Sequence, residues 1–289
     1  MPSIFSEVLG RPVEVPERPE RIVSLSPALT ETLFLLGLKD RIAGVSHFCN
    51  KPPEAREKPR LGSYYKVNYK KLDEIRPDLI LVTTGAQRRL ALELAEKGYT
   101  VYPVPLPTSL YGILDNIVTV GYVTGEHSKA RELSRAVAEH LDMLRGQLRG
   151  RAYYEIWLGG PVSAGRYSYI SDALNHIGLE NCMDSHHEPW VINPDPQEVE
   201  ACDPDIFIYE IPPYSPSIIK QIEKSLRERG LLEVRAVRER GIMLLPPDSL
   251  AHYGPSISKS LEDIVLLAKG RSPVHTEARW HRPGEDPSK

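Results

Sequence analysis

Apolar residues recur along this chain in two rhythms, one helical and one strand-like, and the longest helical stretch lies near the middle. From His127 to Arg149, Leu133, Val137, Leu141, Leu144 and Leu148 fall at steps of four, four, three and four. That spacing lines one face of a helix with apolar side chains and leaves Arg and Glu opposite. Thr124 and Glu126 stand where a start signal belongs, and Gly150 follows as a stop. Ahead of this helix, short apolar runs predict buried strands at Arg21–Leu25, Arg41–Ser46, Leu79–Thr84 and Thr100–Val104. Helical spacing covers Ala28–Leu38, Tyr69–Ile75, Gln87–Lys97 and Leu110–Val123. Behind it the pattern restarts, with strands at Tyr153–Leu158, Asp205–Glu210 and Gly241–Leu245 and helices at Ser171–Ile177, Pro216–Arg229 and Ser256–Lys269. Such alternation predicts an α/β fold with mostly parallel sheets.

The two halves resemble each other. Leu72–Val82 (LDEIRPDLILV) pairs with Val199–Tyr209 (VEACDPDIFIY): a short helix, a Pro-Asp turn, then a buried strand. Thr30–Leu38 (TETLFLLGL) pairs with Ser171–Leu179 (SDALNHIGL), each ending in Gly-Leu, where glycine supplies a left-handed C-cap. Two matches in the same order, flanking one long helix, predict two similar lobes. The expected division is a first lobe over 1–126, a connecting helix over 127–149, a second lobe over 150–270 and a flexible tail over 271–289. The Pro- and Glu-rich residues 1–20 read as an extended lead-in.

At 289 residues the chain is long enough for two cores. A net charge of −3, without a Lys/Arg cluster interleaved with aromatics, argues against nucleic acid as a partner. The longest apolar run, Leu33–Leu38, is too short to span a bilayer. Residues 1–23 carry neither a basic leader with an apolar stretch nor a lipobox-type cysteine, so the expected location is cytoplasmic, or extracytoplasmic if a leader has been removed. Cys49, Cys182 and Cys202 are odd in number and far apart, which argues against a disulfide framework.

No nucleophile elbow, phosphate-binding loop, zinc-protease motif or dinucleotide fingerprint occurs, so no catalytic residue is assigned. The run CMDSHHEPW brings Cys182, Asp184, His186, His187 and Glu188 near one another. Its spacing does not suit one ion, and no dedicated metal site is expected. His47 and Cys49 follow a strand end, where ligand-facing residues collect in open α/β sheets. Tyr64, Tyr65, Trp157, Tyr167, Tyr169, Trp190 and Tyr253 lie in predicted loops or at strand ends, with Arg166 beside Tyr167. In a cleft between lobes such aromatics form flat walls with polar tips, suited to a large planar ligand.

These stretches resemble a known family. RIVSLSPALTETLFLLGL, RIAGVSHFCNKPPEA and VNYKKLDEIRPDLILVT, then EIWLGGPVSAGRYSYISDALNHIGLEN, PQEVEACDPDIFI and YGPSISKSLEDI, are similar to substrate-binding proteins of cobalamin and iron–siderophore ABC transporters. The likeness runs over about residues 5–270 and is greatest to cobalamin-binding members without a signal peptide. It implies two Rossmann-like lobes joined by one long backbone helix, with the ligand in the cleft between them. By position, Trp190 matches a tryptophan flanking the corrin, and Tyr64 and Tyr65 match the aromatic loop of the first lobe. Lys51 stands where a ligand-stacking tyrosine is found. Glu198 matches the second-lobe glutamate that docks on the permease, whereas the first-lobe position, Lys70, reverses the charge and opposes the usual docking.

The reading is a non-catalytic protein that binds a bulky metal chelate: a corrinoid such as cobalamin first, then ferric siderophore or heme. Tyr64, Tyr65 and Trp190 would stack on it, Arg166, His47 and His186 or His187 would meet its polar edges, and Trp157, Tyr167 and Tyr253 would extend the walls. No cofactor is required. The alternatives are an enzyme using His47 and Cys49 on a chelate or cofactor precursor, and a binder of free zinc or manganese.

Overall fold

The computed structural model describes residues 3–212 and 218–284. Strands β1 (Ser3–Ser6) and β2 (Arg11–Glu14) pair as an antiparallel hairpin, so the expected extended lead-in is partly ordered sheet. Then come β3 (Ile22–Ser24), α1 (Pro27–Leu35), β4 (Ile42–Val45), α2 (Tyr69–Ile75), β5 (Leu79–Thr83), α3 (Arg88–Glu96), β6 (Val101–Val104) and α4 (Leu110–Thr124). Helix α5 (His127–Leu144) leads into β7 (Gly150–Trp157), β8 (Pro161–Ala164), α6 (Tyr169–His176), β9 (Leu179–Asn181), β10 (Trp190–Ile192), α7 (Pro196–Cys202) and β11 (Ile206–Glu210). The described chain ends with α8 (Ile219–Glu228), α9 (Arg235–Arg240), β12 (Ile242–Leu245), α10 (Ile257–Ala268) and β13 (Arg279–His281). Residues 216 and 217 of the predicted Pro216–Arg229 helix lie outside the described residues.

The chain falls into two compact units, one of Met1–Pro107, Tyr111–Glu139 and Tyr253–Pro255, the other of Thr108–Leu110, His140–His252 and Ser256–Lys289. In the first, four parallel strands run in the order β4-β3-β5-β6. Alternate residues Val23 and Leu25, Ile80 and Val82 point to one face and pack with Leu72 of α2 and Leu90 and Leu94 of α3. In the second, β9, β7, β11 and β12 are parallel and stand in the equivalent order, with β8 and β10 added beyond β7 and antiparallel β13 beyond β12. Tyr153, Phe207, Tyr209, Ile242 and Leu244 pack there against α7, α8 and α9. Both sheets thus share the order second-first-third-fourth of a doubly wound α/β unit.

The half-repeat is visible atom by atom. Asn68 caps α2 by accepting from the Lys71 amide, and Asp195 caps α7 by accepting from the Gln197 amide. Each helix ends on a left-handed residue, Arg76 at φ 50° and Asp203 at φ 48°. The next carboxylates then brace the neighbouring strand. Asp78 accepts from the amides of Glu20 and Arg21, and Asp205 accepts from the amide of Arg151.

Helix α5 is shorter than its stripe predicts. Gly146, at φ 62°, ends it ahead of the expected stop at Gly150, and Leu148 continues in extended chain. Val137, Leu141 and Leu144 are buried as expected, and Leu133 is half-buried. The division between the units falls inside this helix, between Glu139 and His140. The tail expected over 271–289 also needs correcting. Arg279–His281 forms β13 on β12, and Trp280 donates from Nε1 to the Leu267 carbonyl.

Candidate functional site

In the first unit, polar chemistry gathers at the C-terminal ends of β3 and β5, which flank the point where the strand order reverses. Open α/β sheets place ligands beyond such strand ends. The Tyr64 and Tyr253 hydroxyls lie 2.7 Å apart, and both reach Thr83 Oγ1 at 3.2 Å. Ser26 Oγ is 3.2 Å from the Tyr253 hydroxyl. Buried Gln87 locks the cluster: its amide oxygen accepts from the Thr83 backbone N–H, and Nε2 donates to the carbonyls of Leu25 and Tyr64. Burial, with Tyr253 alongside, pushes the Tyr64 hydroxyl well above its ordinary pKa, so it stays a neutral donor and acceptor.

The loop carrying Tyr64 and Tyr65 is tight. Gly62 adopts φ +145°, and a Cβ there would meet the Lys66 carbonyl oxygen at 2.1 Å. Tyr65 stands 65% exposed, edge-on to Tyr64 with ring centroids 5.6 Å apart, and the Phe48 ring is also edge-on to Tyr64, at 6.3 Å. His47 is exposed in the neighbouring loop, which Arg60 holds by donating to the Ser46 and Cys49 carbonyls. The predicted residues Tyr64, Tyr65, Tyr253 and His47 therefore belong to one unit. Ser26, Thr83 and Gln87 were not predicted, although SLSP and LVTT at strand ends were the signal.

In the second unit, two loops carry the remaining candidates. Gly165 makes their approach possible: a Cβ there would meet the Glu188 carbonyl oxygen at 2.0 Å. The Arg166 amide donates to the His186 carbonyl, the Tyr167 and His187 rings are 5.9 Å apart, and Trp190 pairs across from Ala164. Arg166, Tyr167 and His187 are exposed and Trp190 is half-buried. His186 Nε2 lies 2.6 Å from Glu198 Oε2, which ties this loop to α7.

Two candidates leave the group. Trp157 packs on the sheet face covered by α8. Counting alternate positions through the β7–β8–β10 register puts Trp190 on the opposite face, so the two tryptophans do not share a wall. Tyr169 is buried within α6.

The CMDSHHEPW run is not a metal cage. Cys182 forms a disulfide with Cys202, 5.7 Å between Cα atoms, contrary to the expectation from cysteine counting. Asp184 accepts from Ser171, Asn175 and Asn181, which props the loop from beneath.

Residues 22–249 match the family described as periplasmic binding protein. The chain belongs to that family. It is 23% identical over 275 residues to an uncharacterized ABC transporter substrate-binding lipoprotein of Bacillus subtilis (strain 168), covering 91% of this chain and 84% of that one. It is also 23% identical over 260 residues to the vitamin B12-binding protein of Vibrio cholerae, covering 86% and 89%. Among solved structures, a periplasmic heme-binding protein from Roseiflexus sp. RS-1 superposes with a TM-score of 0.75 at 22% identity, covering 87% of this chain and 98% of that one.

As a periplasmic binding protein the chain is a ligand binder and not an enzyme, and Cys49 accords with that. It is fully buried, bonded to Ser46, and burial pushes its thiol above the usual range, away from the reactive thiolate. No helix among the described residues is long and apolar enough to cross a membrane. The repeat also relates Glu198 to the first unit. Leu72 and Val199 are the buried equivalents on α2 and α7, so Glu198 corresponds to Lys71, one residue beyond Lys70. The charge reversal remains.

Proposed function

We propose that this periplasmic binding protein takes a bulky metal chelate, with a corrinoid as the favoured ligand and heme or a ferric siderophore next. The observation that carries the reading is the paired provision of aromatic surface. One unit offers Tyr64 and Tyr65 over a locked hydroxyl cluster, and the other offers Trp190, Tyr167 and His187 with the Arg166 cation. Flat aromatic area with few polar tips suits a macrocycle bearing amide or carboxylate edges. The vitamin B12- and heme-binding relatives support the same ligand class.

The hydroxyls of Tyr64 and Tyr253 serve as neutral hydrogen-bonding groups for a chelate's side chains, and Arg166 faces a carboxylate or phosphate edge. His187 is the better candidate for an axial bond to the metal, because His186 is engaged by Glu198. A proton competes with the metal for an imidazole, so that part of the affinity falls as pH is lowered. The proposal extends to the compartment: the Cys182–Cys202 disulfide supports an oxidising, extracytoplasmic location. Glu198 would contribute to docking on an ABC permease, with Lys70 and its neighbour Lys71 calling for an acidic partner there.

The test is mass analysis and absorption spectroscopy of whatever co-purifies, followed by titration with cobalamin, hemin and a ferric hydroxamate. Saturable binding of one of them supports the reading. Failure of all three to bind below ~100 μM, roughly −5.5 kcal/mol, removes it and leaves the fold alone.

A further inference from the structure

Three side chains from separate elements of the second unit, none of them among the aromatic candidates, converge. His140 comes from the C-terminal part of α5, Glu262 from α10, and His275 from the segment between α10 and β13. One ligand atom from each lies within 4.8 Å of the others. His140 Nε2 is 2.9 Å and His275 Nε2 2.5 Å from the same oxygen, Glu262 Oε2. The side chains are 21%, 27% and 31% exposed for His140, His275 and Glu262, so the group is held by its surroundings yet open to solvent.

The supports are those a metal site needs. Ser258, one turn before Glu262 on α10, sets its Oγ 3.1 Å from His140 Nδ1. A ring N–H on Nδ1 donating to that hydroxyl leaves the Nε2 lone pair aimed at the centre, the usual outer support of a metal-bound histidine. His275 is positioned through its backbone: buried Asp263 accepts from the amides of Val274 and His275. A tetrahedral site with bonds of ~2.0–2.1 Å sets ligand atoms about 3.4 Å apart, so small side-chain rotations suffice.

We propose that His140, Glu262 and His275 bind one divalent transition-metal ion, with zinc as the best fit. Two imidazoles and one carboxylate suit zinc, while calcium and magnesium call for oxygen ligands. Water or an incoming ligand fills the fourth position. Bound there, the ion clamps the segment leading to β13 onto α5 and α10, fixing the edge of the second sheet. The site shares no residue with the aromatic patches, so its failure and the failure of the chelate reading are separable.

The test is equilibrium dialysis of the chelator-stripped full chain against Zn2+ alone. The expected result is about one equivalent bound with a Kd below ~10 μM, roughly −7 kcal/mol. Glu262→Gln, His140→Gln and His275→Gln each weaken it at least about tenfold, as loss of one of three protein ligands should. His127→Gln, at the exposed start of the same helix, leaves it unchanged. Less than half an equivalent at ~100 μM zinc, or variants that bind as the parent does, overturns the proposal. Should a variant fail to fold, Co2+ added to the parent decides. Intense visible bands of tetrahedral cobalt support the site, and the weak spectrum of hydrated cobalt refutes it.

Discussion

The two units share a strand order and a helix–turn–strand repeat, yet they present their aromatic residues differently. In the first, Tyr64 and Tyr253 meet hydroxyl to hydroxyl over Thr83, with Gln87 locking the strand ends beneath. In the second, Arg166, Tyr167 and His187 are exposed on loops beyond the sheet and rely on a disulfide and the Asp184 network for their shape. The contrast teaches that a repeated scaffold does not repeat its chemistry. The first surface is pre-organised and donates fixed polar groups, which suits discrimination. The second supplies area and charge, which suits affinity, and it needs separate bracing.

The largest effect is expected from removing that bracing. Replacing Cys182 and Cys202 by Ser opens a loop whose ends are 20 residues apart and should cost about 3 kcal/mol in denaturant unfolding. Chelate affinity should fall with it. An unchanged unfolding midpoint would show that the loops hold themselves.

A comparable effect is expected from pH through Glu210. Its buried carboxyl accepts from the amides of Ser249, Leu250 and Ala251, the segment that leads to Tyr253, and from Tyr154. Burial outweighs those bonds and raises its pKa to about 7. The folded state therefore holds a proton that the unfolded chain releases near its ordinary value of 4.5. That stability is fully present below the unfolded pKa and is lost as pH rises from there to about 7, by about 3 kcal/mol. Urea midpoints measured across this window should decline. A flat profile, or an identical decline in Glu210→Gln, would contradict the assignment.

Smaller changes divide the two surfaces directly. Trp190→Ala should weaken chelate binding about tenfold or more, roughly 1.4 kcal/mol, by calorimetry. Tyr253→Phe removes one hydroxyl from the locked cluster and should cost about 1 kcal/mol in binding or stability. If Tyr253→Phe proves the more damaging, the division of labour is reversed.

Much of this was legible in the sequence because local patterns and burial agreed. The strand over Leu79–Thr83 and the helix over Tyr69–Ile75 are apolar in the right period and bounded by turn residues, so tertiary context had little to alter. The short strands β8, β9, β10 and β13 were not, since three or four residues carry too little periodicity and their pairing is set by neighbours. Trp157 was grouped with Trp190 because sequence shows only that both are aromatic near turns. The parity of the β8 hairpin, which separates them, is a property of register. The Cys182–Cys202 pair was hidden for a related reason, as the approach of the two residues to 5.7 Å between Cα atoms is set by tertiary packing and not by their spacing of 20 residues.

Tyr64, Tyr65 and Trp190 are proposed to bind a bulky chelate, and a single titration series tests that most directly. Cobalamin, followed by hemin and a ferric hydroxamate, is titrated by calorimetry into the parent chain, Tyr65→Ala, Trp190→Ala and the double variant. The account predicts one equivalent bound below ~100 μM for at least one chelate, weakened by each substitution and weakest in the double variant. Parent-like affinity in Tyr65→Ala or in Trp190→Ala, or no binding of any of the three, would contradict it.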